Sequence, residues 1–114
     1  IVGDHLVDAN LAGHDSHGLV RLPQYHAQVR TGEINPASEP EWCRFRDRFA
    51  VYDAKGCWGP VAAMRMVDFV AEQSLEHGFA GAAVRHCPHI GRVGVYAGKL
   101  AEQGLYAQAW CNCG

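Results

Sequence analysis

The chain has no concentration of basic charge. Its ten Lys and Arg residues are dispersed among twelve Asp and Glu, for a formal net charge of −2 with seven histidines neutral. That balance argues against a nucleic-acid surface. No apolar run approaches the ~18 residues of a membrane span, and the opening IVGDHLVDAN does not read as a signal peptide. A cytoplasmic protein with no membrane partner is expected. No initiator methionine is present, so the sequence reads as a piece of a longer polypeptide. Internal repeats and low-complexity tracts are lacking as well. The cysteines (Cys43, Cys57, Cys87, Cys111, Cys113) are odd in number and irregular in spacing, which speaks against a disulfide framework. Mostly packed thiols in a reducing compartment are expected. Structural zinc is the sharper alternative, but Cys111–Cys113 and Cys87–His89 leave one-residue gaps where zinc knuckles use roughly two to four.

What is there is ordinary for a folded domain: 48% hydrophobic and 19% charged residues. By length the 114 residues read as one domain, able to bury about 65% of the unfolded surface. IVGDHLVDANL carries Val2, Leu6, Val7 and Ala9 at helical intervals, and Gly13 breaks it. Ser16 suits an N-cap, Pro23 falls early in the next helix, and Gly32 stops it. EINPASEPE is a connector. WCRFRDRFAVYDAKG alternates at Trp42, Phe45, Phe49 and Val51, as a half-buried strand pair or one strand bent near Asp47. The clearest helix runs from Pro60 to His77, with Val61, Met64, Val67, Ala71 and Leu75 on its core stripe and Gly78 behind it. FAGAAVRH reads as a buried strand, HIGRVGVYAGKLAEQG as a glycine-rich loop and helix, and LYAQAWCNC as a closing strand. The order predicts an α/β (α+β) domain: a helical segment over 1–32, then a layered sheet-and-helix segment over 41–114.

Two polar clusters stand out. AGHDSHGLVRLPQY holds His17, Arg21 and Tyr25 at four-residue steps, which one helix face would align. An arginine fork grips carboxylates, an imidazole passes protons near neutrality, and a phenol adds a hydrogen bond. A small anionic carbonyl compound would suit that stripe. Spacing alone fits a capped, solvated helix face as well, with Asp15 and His17 serving the cap. The second cluster, RHCPHIGRVG, places His86 and His89 after a strand and Gly91 and Gly94 at a helix start, where α/β proteins bind ligands. It is not the G-x-G-x-x-G fingerprint, so no Rossmann site is indicated. His14 and His17 could share a helical turn as a metal pair, but nothing completes a ligand set, and no metal is assigned.

Taken together, GHDSHGLVRLPQY and HIGRVGVYAGKLAEQG, with INP between them, resemble the type 2 malate/L-lactate dehydrogenase family. That family includes ureidoglycolate, sulfolactate and Δ1-piperideine-2-carboxylate enzymes. The resemblance runs from about Asp4 through Asn112. It implies a non-Rossmann fold and an NAD- or NADP-dependent oxidoreductase interconverting 2-hydroxy and 2-oxo acids. It also implies a homo-oligomer, a dimer in the simplest case. By position, Ser16 and His17 match a proton-relay pair, and Arg21 and Tyr25 match substrate-binding positions. His89 matches an acid/base histidine beside the nicotinamide, with Ile90 standing where relatives carry phenylalanine. His89, Gly91, Arg92 and Gly94 fall on the cofactor-binding turn. The family is longer than this chain, so an N-terminal fragment with about half of a site is expected. The alternative is a catalytically silent domain that self-associates or binds a small ligand.

Overall fold

A computed structural model describes residues 1–112. Helix α1 spans Val2–Leu11 and buries His5, Leu6 and Ala9 on one stripe. Val7, expected on that stripe, is exposed instead, and His5 takes the inward place. Two short 3₁₀ turns follow, Asp15–His17 and Leu19–Arg21, before α2 at Leu22–Thr31. The helix therefore begins at Leu22, not near Ser16. Gly18, between the turns, is extended (φ −91°, ψ −150°) and breaks the helical path, and Pro23 then starts α2.

Strands β1 (Glu41–Arg46) and β2 (Phe49–Asp53) form an antiparallel hairpin around Asp47, whose φ is +49°. The strand pair is thus as expected, but its faces are not. The register slips between Trp42 and Arg44, a bulge at Cys43, which puts Trp42 and Phe45 on one side despite their odd spacing. There Trp42 meets Tyr52 and Phe69. Phe45 and Phe49 are more than half exposed; Ala50, Tyr52 and Asp53 are the buried positions of β2.

Helix α3 (Gly59–His77) carries the chain from β2 to β3 (Gly81–Arg85), which pairs parallel with β2 in the order β1-β2-β3. Val67 and Ala71 join Ala63, Tyr96 and Leu100 in the core between α3 and α4 (Gly94–Ala101). Leu75 is 63% exposed, on a last turn of α3 whose Glu76 and His77, and Gly78 behind them, are exposed too. Strand β3 is half-buried, not buried, with Ala83 and Arg85 exposed along it. Residues 105–112 form no strand. Leu105 and Ala107 turn onto the α3–α4 cluster while Tyr106 and Trp110 stay exposed, so their alternation serves helix packing and not a ladder. The remainder of that expected strand, including Cys113, lies outside the described residues. The thiols are less packed than expected. Cys57 is buried and Cys87 half-buried, but Cys43 and Cys111 are exposed.

Asp53 ties the ends of the parallel strands together. Its carboxylate accepts from the Lys55 backbone N–H at 3.0 Å, Arg85 Nε at 2.9 Å and His86 Nδ1 at 3.0 Å. Burial alone would raise its pKa; the hydrogen bonds from His86, Lys55 and Arg85 outweigh that and hold it below the ordinary value. A carboxylate depressed on folding stabilises above its unfolded pKa of about 4, and that contribution disappears as pH falls through the folded value. Acid unfolding followed by circular dichroism is expected to show a flatter limb below about pH 4 in Asp53→Asn than in wild type.

Candidate active site

The two polar clusters of the sequence meet. His89, in the loop between β3 and α4, lies against the start of α2, where its Nδ1 is 2.9 Å from the Tyr25 hydroxyl. Tyr25 is only 3% exposed, packed among Leu6, Ile34, Val29 and Trp58. The phenol is thus built into the core and reaches the imidazole from behind. His17 stacks on His89 with ring centroids 5.5 Å apart and planes 25° apart. Its Nδ1 sits 3.0 Å from the exposed Ser16 hydroxyl.

Arg21 is held by two residues close to it in sequence. Nε donates to the Ser16 carbonyl at 2.5 Å and Nη1 to Gln24 Oε1 at 2.6 Å. Among the described residues, neither Arg21 nor Arg92 is in a salt bridge. Arg92 Nε is buried without a hydrogen-bond partner. The site therefore carries two guanidinium groups with no ion-pair partner among the described residues.

The electrostatics follow from this layout. Burial pushes the His89 pKa below the ordinary imidazole value, and the charges of Arg21, His17 and His5 push it the same way. His89 is therefore neutral at pH 7. Burial raises the Tyr25 pKa, with Arg21 opposing, so the phenol keeps its proton. In the tautomer in which that O–H donates to Nδ1, the imidazole proton sits on Nε2. Tyr25→Phe is expected to lose about 1 kcal/mol of stability in urea titrations. Its His89 is also expected to populate both tautomers in imidazole ¹⁵N spectra, where wild type shows one.

Glycine and polar residues, several of them outside the two motifs, shape the site. A β-carbon at Gly59, the first residue of α3, would run into the His89 carbonyl. At Gly91, whose φ is +76°, it would run into the His5 ring. The open side of Gly91 is therefore filled by the protein itself, whereas Gly94 is exposed. Asn10 pins the loop that carries Ser16 and His17: Oδ1 accepts from Leu19 N at 2.9 Å, and Nδ2 donates to Asp15 Oδ1 at 2.5 Å. His5 and Asn10 escaped the sequence reading. The available signal was two polar residues on the inner side of an apolar helix.

His14 Nδ1 lies 3.1 Å from the Ala12 carbonyl oxygen, turned to its own backbone. Among the described residues no three His, Cys, Asp or Glu side chains converge as a metal site.

All 114 residues match the family model described as malate/L-lactate dehydrogenase. The chain is 34% identical over 105 residues to hydroxycarboxylate dehydrogenase B of Escherichia coli, covering 92% of this chain and 29% of that protein. It is 32% identical over 101 residues to 2,3-diketo-L-gulonate reductase of Salmonella paratyphi B, covering 89% and 30%. The structure of malate dehydrogenase from Pyrococcus horikoshii superposes with a TM-score of 0.86 at 30% identity, over 90% of this chain and 30% of that one. The chain thus spans about 29% of the length of the curated relatives it matches. It belongs to the malate/L-lactate dehydrogenase family.

Proposed function

We propose that this chain supplies the carboxylate grip and the proton-transfer histidine of an oxidoreductase interconverting a 2-hydroxy acid with its 2-oxo acid, using NAD or NADP. The observation that carries this reading is His89, hydrogen-bonded to the buried Tyr25 hydroxyl and kept neutral by its own burial and by the charge of Arg21, a guanidinium with no ion-pair partner among the described residues. Arg21 takes the substrate carboxylate through charge-assisted hydrogen bonds. Tyr25 fixes the His89 ring instead of reaching the substrate directly. During oxidation the neutral imidazole, in the tautomer that keeps its proton on Nδ1 toward the Tyr25 oxygen, takes the hydroxyl proton at Nε2 and becomes imidazolium. During reduction the imidazolium returns that proton to the carbonyl oxygen. A weakly basic imidazole suits both directions. His17 and Ser16 form the outer pair of the site, with the Ser16 hydroxyl in reach of solvent.

The donor set fits a dinucleotide. The buried, unpartnered Arg92 Nε matches an anionic diphosphate, and Arg92, Gly94 and His89 would hold the group, with Gly91 shaping the turn. When bound, the nicotinamide gives or takes the hydride. The relatives' names, a hydroxycarboxylate dehydrogenase and a diketogulonate reductase, support a small hydroxy or oxo acid as substrate. The exposed side chains of Leu11, Leu19, Val20 and Leu22 support a homo-oligomer, a dimer at its simplest. No described helix is long and apolar enough to cross a membrane, which accords with a cytoplasmic setting.

The test mixes the purified chain with NADH or NADPH and a panel of 2-oxo acids. Consumption of the reduced cofactor that is lost in Arg21→Ala supports the enzyme. No consumption, together with a stable oligomer by light scattering, supports the silent self-associating domain and overturns the reading for this chain.

A further inference from the structure

His5 has no part in the chemistry above, yet it is among the most buried polar side chains of the protein, at 5% exposure. It sits on α1 and reaches 87 residues along the chain to the turn after His89, where its Nε2 accepts the Arg92 backbone N–H at 2.9 Å. Its ring fills the space beside Gly91 and stacks on Tyr96 with centroids 5.5 Å apart and planes 18° apart. Tyr96 in turn donates its hydroxyl proton to the Ile90 carbonyl. The turn Ile90–Gly91–Arg92 is therefore held from two sides: a phenol takes its first carbonyl and an imidazole its last amide.

We propose that His5 is a positioning residue, a clasp that holds the Ile90–Arg92 turn only while its Nε2 is an unprotonated acceptor. The chemistry demands one tautomer. An imidazole that accepts at Nε2 and is neutral carries its proton on Nδ1. Protonation puts a hydrogen on Nε2, facing the Arg92 N–H, and two donors then meet where a hydrogen bond stood. The surroundings favour the accepting form. Burial lowers the His5 pKa most, Arg92 and His17 lower it further, and only Asp8, on the same helix, opposes them. Tyr96, packed against the ring from α4, has its own pKa raised by burial and stays neutral. Because the folded pKa is depressed, the clasp is complete above the ordinary imidazole value of about 6.5. Its contribution to stability declines as pH falls from there through the folded value.

The assignment of His5 to a catalytic turn rests on the dehydrogenase reading; the clasp itself does not, and it is tested without turnover. In the ¹⁵N-labelled 114-residue chain, long-range imidazole spectra at pH 7.5 are expected to show the His5 proton on Nδ1. The Arg92 amide is expected to be protected from exchange, and its protection factor to fall between pH 7.5 and 5. His5→Phe, which keeps the ring and removes the acceptor, should lower that protection roughly tenfold, the scale of one net hydrogen bond. His5→Gln, which keeps an acceptor that cannot titrate, should restore protection and abolish its pH dependence. A proton found on Nε2, or Arg92 protection indifferent to pH in wild type, overturns the clasp. Both of those readings use the wild-type chain, so they decide even where His5→Phe does not fold. A clasp that passes while cofactor consumption is absent leaves the structural role standing and removes the catalytic one.

Discussion

Leu6→Ala is expected to cost about 3 kcal/mol, seen as a lower urea midpoint with an unchanged slope. Leu6 is fully buried, and with Tyr25 and Ile34 it makes the small core that joins α1, α2 and the connector after Gly32. Val2, Val29 and Trp58 close around that core, leaving a deleted side chain little chance of being replaced by collapse. Against a typical total stability of about 5–15 kcal/mol, the loss is a large fraction. The control is Leu75→Ala. Leu75 is 63% exposed, so its loss should stay within about 0.5 kcal/mol. The effect should also reach the site. The Tyr25 ring leans on Leu6, and the Tyr25 hydroxyl holds His89, so the His89 signal is expected to broaden in Leu6→Ala at temperatures where the chain is still folded. Equal costs for Leu6 and Leu75 would contradict the packing described.

The contrast between those two leucines shows what the sequence can and cannot disclose. Both lie on apolar helical stripes, and periodicity treats them alike. Only the tertiary packing leaves Leu75 exposed at the end of α3 while Leu6 is fully buried. Helices and their stops were legible because they are local: α3 and the Gly32 and Gly78 ends follow from spacing and from residues next to one another. The hairpin was legible as two strands, but not its faces, because one bulge residue at Cys43 inverts the alternation downstream. The start of α2 was misplaced because Gly18 adopts an extended backbone where a helix would have continued.

The candidate site divides in the same way. Arg21, Tyr25 and His89 were marked by motif, although their meeting is not the single helical row that the four-residue steps predict. His17 and Arg21 lie on 3₁₀ turns, and Tyr25 alone lies on α2. The bond between Tyr25 and His89 crosses 64 residues and is invisible to any local pattern. His5 was overlooked for the same reason. A histidine at helical spacing reads as surface until its acceptor geometry toward Arg92 is known.

On the proposed reading of Arg21 as the carboxylate grip, Arg21→Ala is expected to raise the KM for a 2-oxo acid about 100-fold, so that consumption at a fixed, modest substrate concentration is lost. That is the scale of a charge-assisted bidentate pair worth about 1.5–3 kcal/mol. The fork is pre-positioned: two of its nitrogens are fixed on Ser16 and Gln24, so little side-chain freedom remains to be lost on binding. Arg21→Lys keeps the charge without the fork and should fall between, at about tenfold. A second consequence needs no substrate. The Arg21 charge is one of the influences that keep the His89 pKa low, so its removal should move the His89 titration upward, toward the ordinary imidazole value. Histidine ¹³C shifts recorded across pH in Arg21→Ala and wild type read that displacement directly. Should the titration stay in place, the guanidinium and the imidazole are not electrostatic neighbours, and no shared site exists for them to serve. Should it move while cofactor consumption is the same in both proteins, the two groups share a site, and Arg21 is not what holds the substrate there.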